Sequence, residues 1–177
     1  MGYMRLIHFV AAGVLIATML VRIYWLFAGN KYERFTALFP VRGRDLKNFV
    51  RLTKFYLFIG RDATHPPHYI GHHPLQQLSY TGIYLLTLVM IVTGFSLYGD
   101  SNPGGAIHSA TTWVNAMLGG APVTRVVHHV ATWAYLIFIP LHVYLSTRAD
   151  VMEKEGTMSS IFSGGRWIRA DHHYEDE

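Results

Sequence analysis

The sequence contains no cysteine and few charged residues, and each shortage excludes a class of protein. Without cysteine, the chain supplies no thiolate-held iron–sulfur cluster, no cysteine-type zinc site and no thiol nucleophile. Charged residues make up 15% of its 177 residues, against about 25% in an ordinary soluble domain. Hydrophobic residues reach 51% and aromatic residues 14%, which excludes a disordered chain. This composition indicates a membrane protein.

Three hydrophobic runs are long enough to cross a bilayer as helices. They cover residues 6–27, 78–98 and 126–145, and a hydrocarbon core of about 30 Å needs about 20 apolar residues in a helix. Buried helices of soluble proteins rarely run this long without a polar face. The sequence therefore predicts an all-α integral membrane helical bundle, with residues 1–177 forming a single domain.

Lysine and arginine residues predict the orientation of these spans. Residues 28–77 carry eight of them and residues 146–177 carry four, whereas residues 99–125 contain only Arg125. The positive-inside rule places the loop 28–77 and the tail 146–177 in the cytoplasm, and the N-terminus and the loop 99–125 on the outer side. Within that outer loop, glycine-rich turns frame residues 106–118, a candidate helix lying on the membrane surface.

Histidines lie inside two of the spans, where an ionisable side chain is costly and indicates a function. His128 and His142 are 14 residues apart, so they leave one helix face about 21 Å apart and belong to different sites. His8 and His128, the outer pair, lie at equal depth on two helices that run in the same direction. Two imidazoles opposed across a bundle are typical axial ligands of haem b. His129 points about 100° away from His128.

Glycine and arginine residues lie at depths that match these histidines. Gly94 lies at the depth of the outer pair and Gly82 at the depth of His142, and glycine lets a flat macrocycle approach a helix backbone closely. Arg5 and Arg125 flank the outer pair at headgroup level. There they are expected either to hold haem propionates or to extend to membrane lipid phosphates. His142 is expected to hold a second haem, for which this chain offers no opposing histidine within the membrane.

Several motifs together resemble one family. They are residues 2–9 (GYMRLIHF), 22–25 (RIYW), 29–32 (GNKY), 70–72 (IGH) with Pro74, 93–95 (TGF) with 97–98 (LY), and 142–144 (HVY). In order and spacing they resemble the b-type cytochrome subunit of membrane-bound nickel–iron uptake hydrogenases, a di-haem cytochrome b with four spans. The likeness extends over nearly the whole chain, and His8, His128 and His142 fall on haem-ligand positions of the family.

The resemblance implies an electron carrier and not a catalyst. Such a subunit anchors the large and small hydrogenase subunits on the outer face of the bacterial inner membrane. It takes electrons at the outer haem b and passes them to quinone, and no nucleic-acid partner is expected. His72 lies at the inner mouth of the second span, which makes it a candidate for quinone binding or proton delivery.

The resemblance also implies that one helix of the family is missing. Met1 aligns in the loop before the second family span, so the first helix, whose histidine opposes His142, is expected to be absent. Either the start codon is misassigned or the chain is a shortened homologue. The outer haem keeps both of its ligands in either case.

Other functions fit the same pattern of residues. Formate dehydrogenase and thiosulfate-reductase-like complexes have cytochrome b subunits with the same bundle and histidines. An alternative of another class is a haem-free anchor or a transporter-like protein whose histidines relay protons. The histidines of the first loop have irregular spacing beside prolines, so a solvated loop is favoured over a metal site; they are His65, His68, His72 and His73.

Overall fold

The structure is a computed structural model of the chain. It describes residues 2–30, 34–35, 48–50, 53–54, 71, 74–153, 156, 158–165 and 167. The helices with defined bounds are α1 (Gly2–Ala28), α2 (Pro74–Gly99), α3 (Ala106–Leu118), α4 (Ala121–Glu153) and α5 (Ser160–Ser163). No strand occurs among the residues that the structure describes. The predicted all-α class is confirmed.

Three of these helices are long and apolar enough to cross a membrane. They are Gly2–Ala28, Pro74–Gly99 and Ala121–Val151, and each contains one of the predicted hydrophobic runs. Each of these three helices extends beyond its predicted hydrophobic run. Hydropathy identifies only the segment that fits the hydrocarbon core, whereas the helical backbone continues through the polar residues on either side. Proline at the start of α2 fits this position, since the first helical N–H has no partner within the helix.

The chain divides into two units whose boundary lies inside α2, between Ile91 and Val92. The first unit contains α1 and the first part of α2. No residue of α1 is buried, so its apolar side chains remain open to the surroundings. Such a surface suits a helix whose solvent is lipid.

The second unit contains the end of α2 together with α3 and α4. The predicted helix at 106–118 is present with the same bounds, and Gly119 ends it in the left-handed conformation at φ 94°. A Cβ on Gly99 would lie 2.9 Å from His108 Cα, so this approach of α3 to α2 requires glycine. Asn115 Nδ2 donates to both carboxylate oxygens of Asp100, at 3.0 and 2.9 Å. These contacts fix α3 against the end of α2.

Candidate functional site

His128 on α4 is held by a buried residue of α2. Its Nδ1 lies 2.8 Å from Thr93 Oγ1, and Thr93 is only 3% exposed. In the tautomer that coordinates a metal through Nε2, Nδ1–H donates to this hydroxyl oxygen. Because Thr93 contacts Nδ1, Nε2 is the candidate ligand nitrogen of His128.

Gly94 provides the space in which the His128 ring lies. A Cβ on Gly94 would lie 3.3 Å from His128 Cε1 and 4.0 Å from its Nδ1. A side chain at this position would therefore push the ring by a few tenths of an ångström. The neighbouring residues Thr93 and Gly94 act together, since one bonds the ring and the other leaves room for it. Gly94 thus lies directly beside the side chain that is predicted to hold the macrocycle.

His129 makes its contact within α4 itself. Trp133 Nε1 donates to His129 Nε2 at 3.1 Å, and the two rings meet edge to face at 6.2 Å. This hydrogen bond occupies Nε2 of His129, whereas Nε2 of His128 is the candidate ligand atom. His129 is therefore the natural control for experiments on His128.

The other two predicted ligands are exposed on their helices. His142 stacks on Phe138 of the preceding turn, with ring centroids 5.3 Å apart and planes 10° apart. His8 meets the edge of Phe9 at a centroid distance of 5.8 Å. His8 belongs to the first unit and His128 to the second, and their pairing stays a prediction from the sequence.

The remaining predicted residues occupy open positions on the helices. A Cβ on Gly82 would have no neighbouring atom within 4 Å, so the backbone is accessible there. Arg5 and Arg125 are exposed on α1 and α4, and a role in binding propionate or lipid stays a prediction for both. His72 and the other histidines of the first loop lie outside the described residues.

A further polar contact connects α1 with α2 inside the first unit. Arg22 Nε donates to the Tyr84 hydroxyl at 2.8 Å, and the guanidinium carbon lies 6.0 Å from the centroid of the Tyr84 ring. Tyr84 stacks on Tyr80, with centroids 6.1 Å apart and planes 23° apart. The contact keeps the charged end of Arg22 beside two aromatic rings.

Sequence patterns alone assigned no role to Thr93, Arg22 or Tyr84. Thr93 did have a detectable signal, since it is a hydrogen-bonding residue next to a glycine predicted at haem depth. Arg22 had a stronger signal, because a charge within an apolar span indicates a function. Tyr84 had none, since tyrosines occur in many spans and only the folded chain shows which one contacts an arginine.

Comparison with known proteins gives a consistent result. Residues 1–164 match the family model described as prokaryotic cytochrome b561. A probable Ni/Fe-hydrogenase B-type cytochrome subunit of Bradyrhizobium diazoefficiens is 36% identical over 172 residues, which cover 96% of this chain and 68% of that protein. The protein of the same name from Cupriavidus necator is 35% identical over 96% of this chain and 69% of its own length.

A third relative gives a similar match. The probable Ni/Fe-hydrogenase 1 B-type cytochrome subunit of Escherichia coli K12 is 34% identical over 171 residues, covering 94% of this chain and 71% of that protein. No solved structure matches the chain significantly.

Proposed function

Because the chain belongs to the prokaryotic cytochrome b561 family, we propose that it is the membrane cytochrome b subunit of a nickel–iron hydrogenase. Several curated relatives that cover most of its length carry that name. Membership of a B-type cytochrome family implies haem b as the cofactor. The three apolar helices support a multi-pass membrane protein.

The observation that supports haem binding best is the arrangement around His128. A haem ligand needs a fixed ring, a fixed tautomer and a close approach of backbone to the macrocycle. The Thr93 hydroxyl, 2.8 Å from Nδ1, orients the ring and is able to accept the Nδ1–H of the tautomer that binds iron through Nε2, and Gly94 leaves room for the ring. His8 and His128 would hold haem b, which would supply reversible one-electron transfer.

In this proposal the chain carries electrons between two partners. It anchors the large and small subunits of the hydrogenase on the outer face of the bacterial inner membrane. Electrons enter from the iron–sulfur clusters of the small subunit and leave to quinone. The chain does not itself activate hydrogen, since it has no cysteine to supply the thiolate ligands that such a metal centre needs.

The remaining predicted residues have roles at the two membrane surfaces. Arg5 and Arg125 hold the propionates of the outer haem, as paired guanidinium groups do with carboxylates. Gly82 and His142 belong to a second haem site nearer the cytoplasm. For His72, which the sequence predicts at the inner mouth of the second span, the proposed role is quinone binding or proton delivery.

The proposal is tested on the complex purified through a tag on this chain. Hydrogenase large and small subunits are co-expressed with it, and the complex is exposed to hydrogen. We expect both subunits to copurify, sharp reduced b-type absorption bands to appear, and quinone to be reduced. His128→Ala is expected to remove the bands of the outer haem and the quinone reduction while hydrogen oxidation by benzyl viologen continues.

His129→Ala is the matched control for this experiment, since His129 is adjacent in sequence and bonds within its own helix. It is expected to keep both the bands and the quinone reduction. A complex that copurifies with hydrogenase but shows no haem reduction by hydrogen contradicts the electron-carrier function and leaves only an anchor.

A further inference from the structure

Arg22 is a charged side chain kept within the apolar part of a span. It lies inside the hydrophobic run 6–27, near the end predicted to face the cytoplasm. Long cationic side chains near a helix end usually extend to the membrane surface. Side chains of a helix tilt towards its N-terminus, so the Cα–Cβ bond of Arg22 points away from the cytoplasmic surface, which is the nearer one. Its bond to Tyr84 at 2.8 Å then keeps the guanidinium at the depth of that tyrosine.

Arg22 shares a helix face with the predicted haem ligand of α1. It follows His8 by 14 residues, the same interval that separates His128 from His142. This interval returns to nearly the same face about 21 Å further along the helix. Arg22 therefore has the direction of His8 but lies at the opposite end of the span, where electrons that enter at the outer surface have to leave.

The two tyrosines beside Arg22 add a flat surface and a second donor. The Tyr84 hydroxyl accepts the Nε–H of Arg22, so its own hydrogen points away from that nitrogen and is able to donate to another oxygen. Tyr80 and Tyr84 stack with their planes 23° apart, so the pair presents the face of one aromatic ring on each side. A positive charge, a hydroxyl donor and an aromatic face occur together at one place on α1 and α2.

We propose that Arg22, Tyr84 and Tyr80 bind the head group of the quinone that accepts the electrons, an inference that rests on the proposed function above. A quinone is a flat ring with two carbonyl oxygens, and it reaches the protein through lipid. Its ring packs on the aromatic face, and one carbonyl oxygen accepts hydrogen bonds from the guanidinium and the Tyr84 hydroxyl. A carboxylate of haem or a lipid phosphate would use the positive charge but not the aromatic face.

The reaction at this site is the two-electron reduction of quinone to quinol. The quinone gains two electrons from the cytochrome and two protons from cytoplasmic water, and both carbonyl groups become hydroxyl groups. Negative charge builds on the carbonyl oxygens as electrons arrive, and a fixed positive charge stabilises it. Arg22 keeps its own proton throughout, because a guanidinium is not deprotonated in proteins.

The test uses the purified hydrogenase complex with decylubiquinone as the acceptor. Arg22→Gln and Tyr84→Phe are each expected to raise the KM for decylubiquinone at least fivefold. Haem content and benzyl viologen reduction are expected to stay within twofold of the unmodified complex. The double variant is expected to match Arg22→Gln alone, since the two residues serve one site. Tyr24→Phe is the control, because Tyr24 lies two residues along α1 from Arg22, about 200° around the helix, and is 64% exposed.

Each other outcome overturns the assignment. Unchanged KM values in both variants exclude the quinone site, and loss of haem in both variants assigns the pair to a propionate. Recovery of the variants on adding phosphatidylglycerol vesicles assigns it to a lipid phosphate. If Arg22→Gln does not accumulate, Tyr84→Phe decides alone. An unmodified complex that lacks haem or does not reduce quinone refutes the proposed function itself, whereas normal variants beside a working complex refute only this site.

Discussion

Replacing Thr93 by valine is expected to weaken haem binding while leaving the helices intact. Valine has nearly the shape of threonine but lacks the hydroxyl, so the His128 Nδ1–H loses the acceptor that lies 2.8 Å away. In the Thr93→Val protein without haem, the His128 ring is able to turn towards another partner, whereas coordination to iron fixes its position. The cost of the unpaired N–H therefore falls on the haem-bound state.

The size of this effect follows from the burial of the contact. Thr93 is 3% exposed and His128 is half-buried, and leaving a buried donor unpaired costs about 1–3 kcal/mol. At about 1.4 kcal/mol for each factor of ten, haem affinity is expected to fall roughly 5- to 140-fold. The imidazole also becomes a weaker electron donor without its hydrogen bond, so the reduction potential of the remaining haem is expected to rise.

The assay is titration of the purified apoprotein with haemin, followed by potentiometry of the reconstituted protein. Thr87→Val is the matched control, because Thr87 is also buried on α2, at 6% exposure, and its hydroxyl donates to Ile83 O of its own helix at 2.7 Å. Unaltered affinity and potential in Thr93→Val would refute the role of the hydroxyl in orienting a haem ligand.

Three further predictions test the surroundings of this site. Gly94→Ala is expected to lower haem occupancy because its Cβ would lie 3.3 Å from the His128 ring. Gly13→Ala is the control and is expected to keep the haem, since its Cβ would have no atom within 4 Å. Equal haem absorbance in both variants would contradict the close approach of Gly94 to His128. Asn115→Ala removes two hydrogen bonds to the Asp100 carboxylate and is expected to destabilise the protein by about 1.5–3 kcal/mol, measured as a lower Tm in detergent; an unchanged Tm speaks against this contact. Quinone reduction with protons taken from the cytoplasm predicts a membrane potential in proteoliposomes that oxidise hydrogen, and its absence argues against quinone reduction near the inner face.

The helices were predictable because membrane helices have a strong sequence signal. A run of about 20 apolar residues has few alternatives in a bilayer, and all three runs lie within observed helices. The helix ends were harder to predict, since residues such as Thr124 and Ser146 are polar and yet helical. The glycines beside α3 predicted its bounds well, because Gly119 readily adopts the left-handed conformation that ends the helix.

The site was predictable only in part. The histidines stood out because an imidazole is rare within a span, and helix geometry separated His128 from His129. The partner of the His128 ring was not predictable, since adjacent residues of one helix point in different directions and only packing brings Thr93 to Nδ1. The contact between Arg22 and Tyr84 likewise depends on which faces of α1 and α2 meet.

The central claim, that His8 and His128 hold one haem b, is tested most directly by the reduced optical spectrum of the purified chain and three alanine variants. The unmodified chain is expected to show sharp b-type bands. Those of the outer haem are expected to be missing in His8→Ala and in His128→Ala and to persist in His129→Ala. Equal haem content in all three variants would contradict the ligand assignment, and a chain without any b-type bands would contradict the cytochrome function.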